Sequence, residues 1–193
     1  MEKKIITLGS EVFVTDPCYE VGTWCQAKLT NVLPGNYYAF MTGTFEMYGT
    51  RNTGVAVIHE DYINKQPKRW YKHGNIGVDS GQAGIFSAES YKNDSIIESI
   101  SAPVLDSKGR EFNLPRMTKQ PGDDWYERMC RLTLNTQESW GAYDQGIVSS
   151  SGMGDGMYGF SIQKSKNKIV AIAIDFGITD TQKQFFETLE EAY

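Results

Sequence analysis

The sequence predicts a mostly β, α+β fold: an antiparallel sandwich or partly open barrel with one or two packed helices. Three observations predict it. Apolar residues alternate with polar ones over short runs, the period of a half-buried strand. Aromatics reach 12%, with 11 Tyr, 9 Phe and 4 Trp, and such side chains suit a pleated surface. Nineteen glycines against six prolines supply many tight turns. Together they give about eight short strands separated by turn signals, the pattern of a sandwich or open barrel.

Glu11 to Thr15 alternates and reads as a strand, with Ile5 to Leu8 as its expected partner across Gly9-Ser10. Asp16-Pro17 ends it. Gln26 to Val32 alternates again, and Pro34-Gly35-Asn36 is expected to turn it into a hairpin with Tyr37 to Phe45. Gly54 to His59 is a further strand, and 60–75 is polar enough for a loop or short helix. Gly77 to Phe86 reads as a strand that bends sharply at Ser80-Gly81. Ser87 to Tyr91 could form one helical turn. Asp123-Asp124 is placed to cap a helix from Trp125 to Leu132, with Trp125, Met129 and Leu132 on one face. Gly146 to Ser150 is a strand that enters a Gly-rich loop. The clearest hairpin follows: Tyr158, Phe160 and Ile162 share a face, the turn spans Lys164 to Lys168, and Ile169 to Phe176 returns as a central strand apolar on both faces. The acidic end, Asp180 to Tyr193, reads as an amphipathic helix.

The length of 193 residues suits one domain with a real core. Residues 1–193 are therefore read as a single domain, with 93–122 as an extended or flexible excursion marked by three prolines. The net charge of −5 and the lack of any Lys/Arg cluster longer than two residues argue against a duplex nucleic-acid partner. There is no apolar stretch long enough to span a membrane, and no membrane partner is expected. The N-terminus lacks a signal-peptide core, and the three cysteines form no CxxC pair. Reduced thiols and a cytoplasmic location are expected. Two histidines leave little material for zinc or Ser-His-Asp chemistry.

Three segments break otherwise apolar runs with small and polar residues. Ser149-Ser150-Ser151-Gly152-Met153-Gly154-Asp155-Gly156 supplies backbone freedom and hydroxyl donors, which suits an anion-binding nest or simply a long turn. It is neither a dinucleotide fingerprint nor a P-loop. Asp79-Ser80-Gly81-Gln82 is either a bulge beside a site or a set of side chains satisfying loop amides. Asp16-Pro17-Cys18-Tyr19 offers a carboxylate and a thiol at a strand end, and Cys18 reads better as a small buried thiol than as a nucleophile. Asp16, Asp79, Asp155 and Asp175 could share a divalent cation if they converge, though no metal ligand set is assigned and no cofactor is specified. Trp125-Tyr126 could stack on a ligand or face the core. The expected ligand-contacting residues are Asp16, Asp79, Ser80, Gln82, Trp125, Tyr126, Ser149, Ser150, Ser151 and Asp155, gathered around one concave pocket.

Those segments, with Gly22-Thr23-Trp24-Cys25 and the continuation Ala83-Gly84-Ile85-Phe86, resemble an uncharacterised family of bacterial and phage proteins. It carries a domain of unknown function with a DPCY-like start, a central DSGQAGIF segment and a late SSGxGDGxY segment. The resemblance runs from about Thr15 to Phe176 outside the unreadable middle. It implies boundaries and site candidates rather than an established chemistry. For a phage member it suggests a role against host defence. The function expected is a small-ligand binding protein that sequesters a nucleotide or other phosphorylated molecule. The alternatives are an interaction module that inhibits a host protein, or an Asp-based, metal-assisted hydrolase.

Overall fold

The computed structural model describes residues 2–46, 49–65, 69–102, 119–177 and 187. Two antiparallel sheets pack face to face. The larger holds six strands in the order β1 (Lys4–Leu8), β4 (Gly35–Met41), β7 (Gly54–His59), β13 (Lys168–Asp175), β12 (Gly156–Ser165) and β8 (Tyr71–Val78). The smaller holds β10 (Trp140–Tyr143), β11 (Gly146–Ser150), β9 (Gln82–Ser87), β2 (Val12–Thr15) and β3 (Ala27–Leu29). A two-stranded ribbon of β5 (Thr44–Glu46) and β6 (Thr50–Asn52) extends from the larger sheet, and one helix, α1 (Asp123–Leu134), covers the smaller. Among the described residues no barrel closes, and the two packed sheets form the predicted sandwich.

The apolar pattern explains the layers. Ile6, Tyr37, Val57, Ile76, Phe160 and Ile172 of the larger sheet meet Val12, Val14, Ala83, Ile85 and Ile147 of the smaller in one central core. The other face of the larger sheet is also covered: Phe40, Ala56, Ile58, Ala171 and Ala173 pack under Ile63 and Trp70. That double burial is why β13 reads as apolar on both faces, and β7 beside it is buried along its whole length. On the far side of the smaller sheet, Phe13, Phe86 and Val148 take Trp125, Met129 and Leu132 of α1, as the helical spacing predicts.

Several local expectations are corrected. β1 and β2 do not pair across Gly9-Ser10. They lie in opposite sheets, and Leu8 and Val12 enter the same core from its two sides. Likewise β3 pairs with β2 while β4 pairs with β1 and β7, so Pro34-Gly35 is a crossing between sheets and not a hairpin turn. A short alternating run fixes which face is buried, not which neighbour it pairs with. The polar stretch 60–75 contains a 3-10 helix at Glu60–Tyr62 and the start of β8. The cap of α1 is not Asp123 or Asp124: Gly122 occupies that position, and the backbone N–H groups of Gly122 and Trp125 donate to the Asp94 carboxylate at 2.8 and 3.0 Å. Asp94 begins a 3-10 helix, Asp94–Ser99, inside the predicted excursion. The rest of that excursion from 103 to 118, and nearly all of the predicted C-terminal helix, lie outside the described residues. The β12–β13 turn is tighter than predicted, with only Lys166 and Asn167 between paired strands, both at positive φ (48° and 64°), as a type I′ turn requires.

Candidate functional site

All three polar interruptions serve one end of the sandwich. Asp79-Ser80-Gly81 carries the chain from β8 in the larger sheet to β9 in the smaller. Ser151 to Asp155 carries it back from β11 to β12. Asp16 opens the loop between β2 and β3, which passes over β8. Gly77 lets it pass: a Cβ there would meet the Cys25 Cβ and Sγ at 2.9 Å, and the Gly77 N–H donates to the Cys25 carbonyl at 3.0 Å.

Asp16 fastens the first two segments together. It is fully buried. Its Oδ1 accepts from the Cys18 N–H at 2.8 Å and the Ser80 Oγ at 2.7 Å, and its Oδ2 accepts from the N–H groups of Asp79 and Ser80 at 2.8 and 2.7 Å. Four donors fill a carboxylate's acceptor sites and offset the cost of burying its charge. Tyr91 braces the same loop, its hydroxyl donating to the carbonyls of Asp16 and Tyr19 at 3.1 and 2.6 Å. The second junction is backbone to backbone: the Ser151 N–H donates to the Gly81 carbonyl at 2.9 Å. Gly81 sits at φ 68°, a conformation that glycine adopts without a Cβ clash. The third segment closes on itself. Ser151 Oγ donates to the Gly154 carbonyl, and the Tyr158 hydroxyl lies 2.7 Å from the carbonyls of both Ser151 and Gly154.

The predicted site residues therefore divide. Asp16, Gln82, Ser149 and Ser151 are buried and spent on the protein itself. Gln82 accepts from Thr133 Oγ1 at 2.7 Å and donates to Cys130 Sγ at 3.4 Å, tying β9 to α1. Ser149 accepts from Asn52 Nδ2 at 2.8 Å and donates to the Ser150 carbonyl. Trp125 has no exposed ring face, because Phe86, Tyr91 and Tyr143 surround it at centroid distances of 5.2, 5.1 and 6.5 Å, so it packs in the core and has no face on which to stack a ligand. Tyr126 is half-buried beneath the Lys92 ammonium, 5.7 Å from its ring centroid. Ser80 and Ser150 are partly exposed, and Asp79 and Asp155 face solvent. Burial, reinforced by the neighbouring Asp16 charge, pushes the Cys18 thiol pKa well up, which keeps it protonated and unlike an activated nucleophile. The three cysteines are free thiols.

Two adjoining hollows lie outside this fastening. The smaller, of about 320 Å³, is lined by Tyr19, Thr23, Trp24, Val78, Asp79 and Met157, with Cys25 at its wall. The larger, of about 620 Å³, is lined by Lys72, Asn75, Met153, Asp155, Tyr158 and Asp175 among others. Gly156 and Met157 belong to both. Around them stand exposed apolar side chains: Trp24 is 86% exposed, Met157 59% and Met153 57%. Burial raises the Asp175 pKa, against the opposing pull of the Gly177 N–H at 2.8 Å and of Lys72. Burial, with the neighbouring Cys25 thiol and Asp79 carboxylate, raises the Tyr19 phenol pKa.

Tyr19, Trp24, Met153, Met157 and Lys72 thus join the carboxylates of Asp79, Asp155 and Asp175 at the hollows. Trp24 left a signal in the sequence: a large aromatic in a turn segment, Gly22-Thr23-Trp24, with polar or glycine neighbours at strand spacing, Gly22 and Gln26. Among the described residues, no three His, Cys, Asp or Glu side chains come together as a metal ligand set. No described helix is long and apolar enough to cross a membrane. No family model, no curated protein and no solved structure matches the chain.

Proposed function

We propose that the chain is a small-ligand binding protein whose site is the pair of hollows joined at Gly156 and Met157. The observation that carries this reading is the exposure of Trp24, Met153 and Met157 at the rim of a concave surface. Large apolar side chains left open beside a cavity favour an occupant that covers them. The hollows also hold polar groups to orient one: the Asp79, Asp155 and Asp175 carboxylates, the Lys72 ammonium and the Asn75 amide. A planar group such as a nucleobase could stack on Trp24. A phosphate has weaker support, because three carboxylates face one ammonium there and the Ser149 and Ser151 hydroxyls are engaged internally.

Thermal melting of the chain with a panel of nucleosides, nucleotides, amines and sugars tests the reading, with the Trp24→Ala variant in parallel. Expected is at least one compound that raises the melting temperature of the parent chain and not of the variant. Heat-released ligand recovered unchanged means binding, and altered ligand means catalysis. If no compound acts through Trp24, the reading fails. The exposed tryptophan favours one second reading, a partner protein anchored on Trp24. It predicts a complex lost on Trp24→Ala in a chain that binds no small molecule.

A further inference from the structure

Resting on that reading of the site, we infer that the smaller hollow takes the head of an alkylated, quaternary-type ammonium compound. Asp79 is the single charged side chain among the residues that line it. Lys92 is not among those lining residues and is paired with Glu20 at 3.0 Å. Including the larger hollow adds Lys72 against Asp155 and Asp175, so the joined surface stays acidic. An anion entering the smaller hollow meets an unopposed carboxylate, whereas a cation meets a complementary one.

The walls decide which cation. The Trp24 indole and the Tyr19 phenol both line the hollow, and aromatic faces attract cations through the ring quadrupole. Val78 and Met157 complete an apolar surround. A bare primary ammonium or a small inorganic cation is strongly hydrated and needs several oxygen ligands in exchange. The hollow offers one carboxylate, that of Asp79. An alkylated ammonium carries its charge on a weakly hydrated apolar surface and asks for π faces and one counter-charge, which is what is present. The hollow's volume of about 320 Å³ accommodates such a head group and its first substituents.

The test compares choline with 3,3-dimethylbutan-1-ol, its uncharged carbon isostere, on the intact chain. Trp70, Trp125 and Trp140 are buried, so Trp24 is the exposed fluorescent reporter, and calorimetry reads the variants. Choline should bind and change Trp24 emission, with the isostere at least about tenfold weaker. Asp79→Asn should weaken choline by about tenfold and leave the isostere unaffected, since it removes charge and keeps shape. Equal affinity for the two compounds, or an Asp79→Asn variant that binds choline like the parent, overturns the inference. If choline fails while a neutral or anionic compound from the panel binds through Trp24, the cation assignment falls and the binding-protein reading stands. If nothing binds through Trp24, both fall.

Discussion

Asp16 and Asp79 stand on the two sides of one hydrogen bond, yet they belong to different regions of the molecule. The Asp79 N–H donates to the Asp16 carboxylate at 2.8 Å, while its own side chain turns outward into the smaller hollow. Asp16 is sealed and saturated with donors. The same contrast separates the inner fastening of Asp16, Ser80, Gly81 and Ser151 from the outer rim of Trp24, Asp79, Met153 and Met157. The difference teaches that a polar break in an apolar sequence can serve both regions at once. Backbone and some side chains hold the corner together, and the remaining side chains line the hollows.

Substitutions can break or sharpen that division. The largest effect is expected at Asp16→Ala, which strands three backbone N–H groups and the Ser80 hydroxyl without their acceptor. Loss of a buried charged acceptor costs about 3–5 kcal/mol, read from urea denaturation. A loss under about 1 kcal/mol would show that water replaces the carboxylate and that the inner region is not a fastening.

Gly77→Ala probes the boundary between the regions. Its Cβ would meet Cys25 at 2.9 Å and the Tyr19 hydroxyl at 3.4 Å, so the loop over β8 must move. The expected cost is about 1–3 kcal/mol, with the smaller hollow reshaped as well. A melting curve and a binding titration should therefore both change, and a change in stability alone would detach the hollow from the loop. Ser151→Ala removes the bond to the Gly154 carbonyl and should cost about 1 kcal/mol. Trp24→Ala should move stability by less than about 0.5 kcal/mol, because the side chain is 86% exposed, while abolishing ligand binding. A large destabilisation there would place Trp24 in the fastening after all.

The smallest effect is expected at Asp175→Asn, and it depends on pH. Burial raises the folded-state pKa of Asp175, so the protonated carboxyl is the form the fold prefers. That preference contributes fully below the unfolded-state pKa and is lost as pH rises through the higher folded-state value. The asparagine variant lacks this titration and keeps an acceptor for the Gly177 N–H. Its stability relative to the parent should climb from the acid range towards neutrality and then level off, in denaturant titrations at a series of pH values. A falling difference would mean that the Lys72 attraction outweighs burial.

Much of the layering was legible because alternation and double-sided apolar runs follow from burial alone. Ile172 and Phe160 in the central core, and Trp125 and Met129 on the helix face, needed no knowledge of partners. Strand pairing was not legible: Leu8 and Val12 are four residues apart and alike in character, and nothing local says that they face one another across the core. The corners were visible as breaks at Ser80-Gly81 and Ser151-Gly152. Their internal use was not, because the partner of Asp79 and Ser80 is an aspartate 63 and 64 residues earlier. In the same way, Gln82 looked available until Thr133 and Cys130 were found to hold it. Serine and glycine make a good ligand loop and a good corner for the same reasons, so composition could not choose between them.

The span of the Asp16 fastening also sets an order of assembly. A contact that closes a loop of more than sixty residues offsets its chain-entropy cost best once the intervening chain is compact. The junction of Gly81 with Ser151 waits on later chain still, since β11 must first pair with β9. The β12–β13 hairpin, closed by a two-residue turn, can form early and locally. The end that carries the hollows is thus expected to mature last, and the amides of Asp79 and Ser80 should gain their protection from exchange only when both sheets are in place.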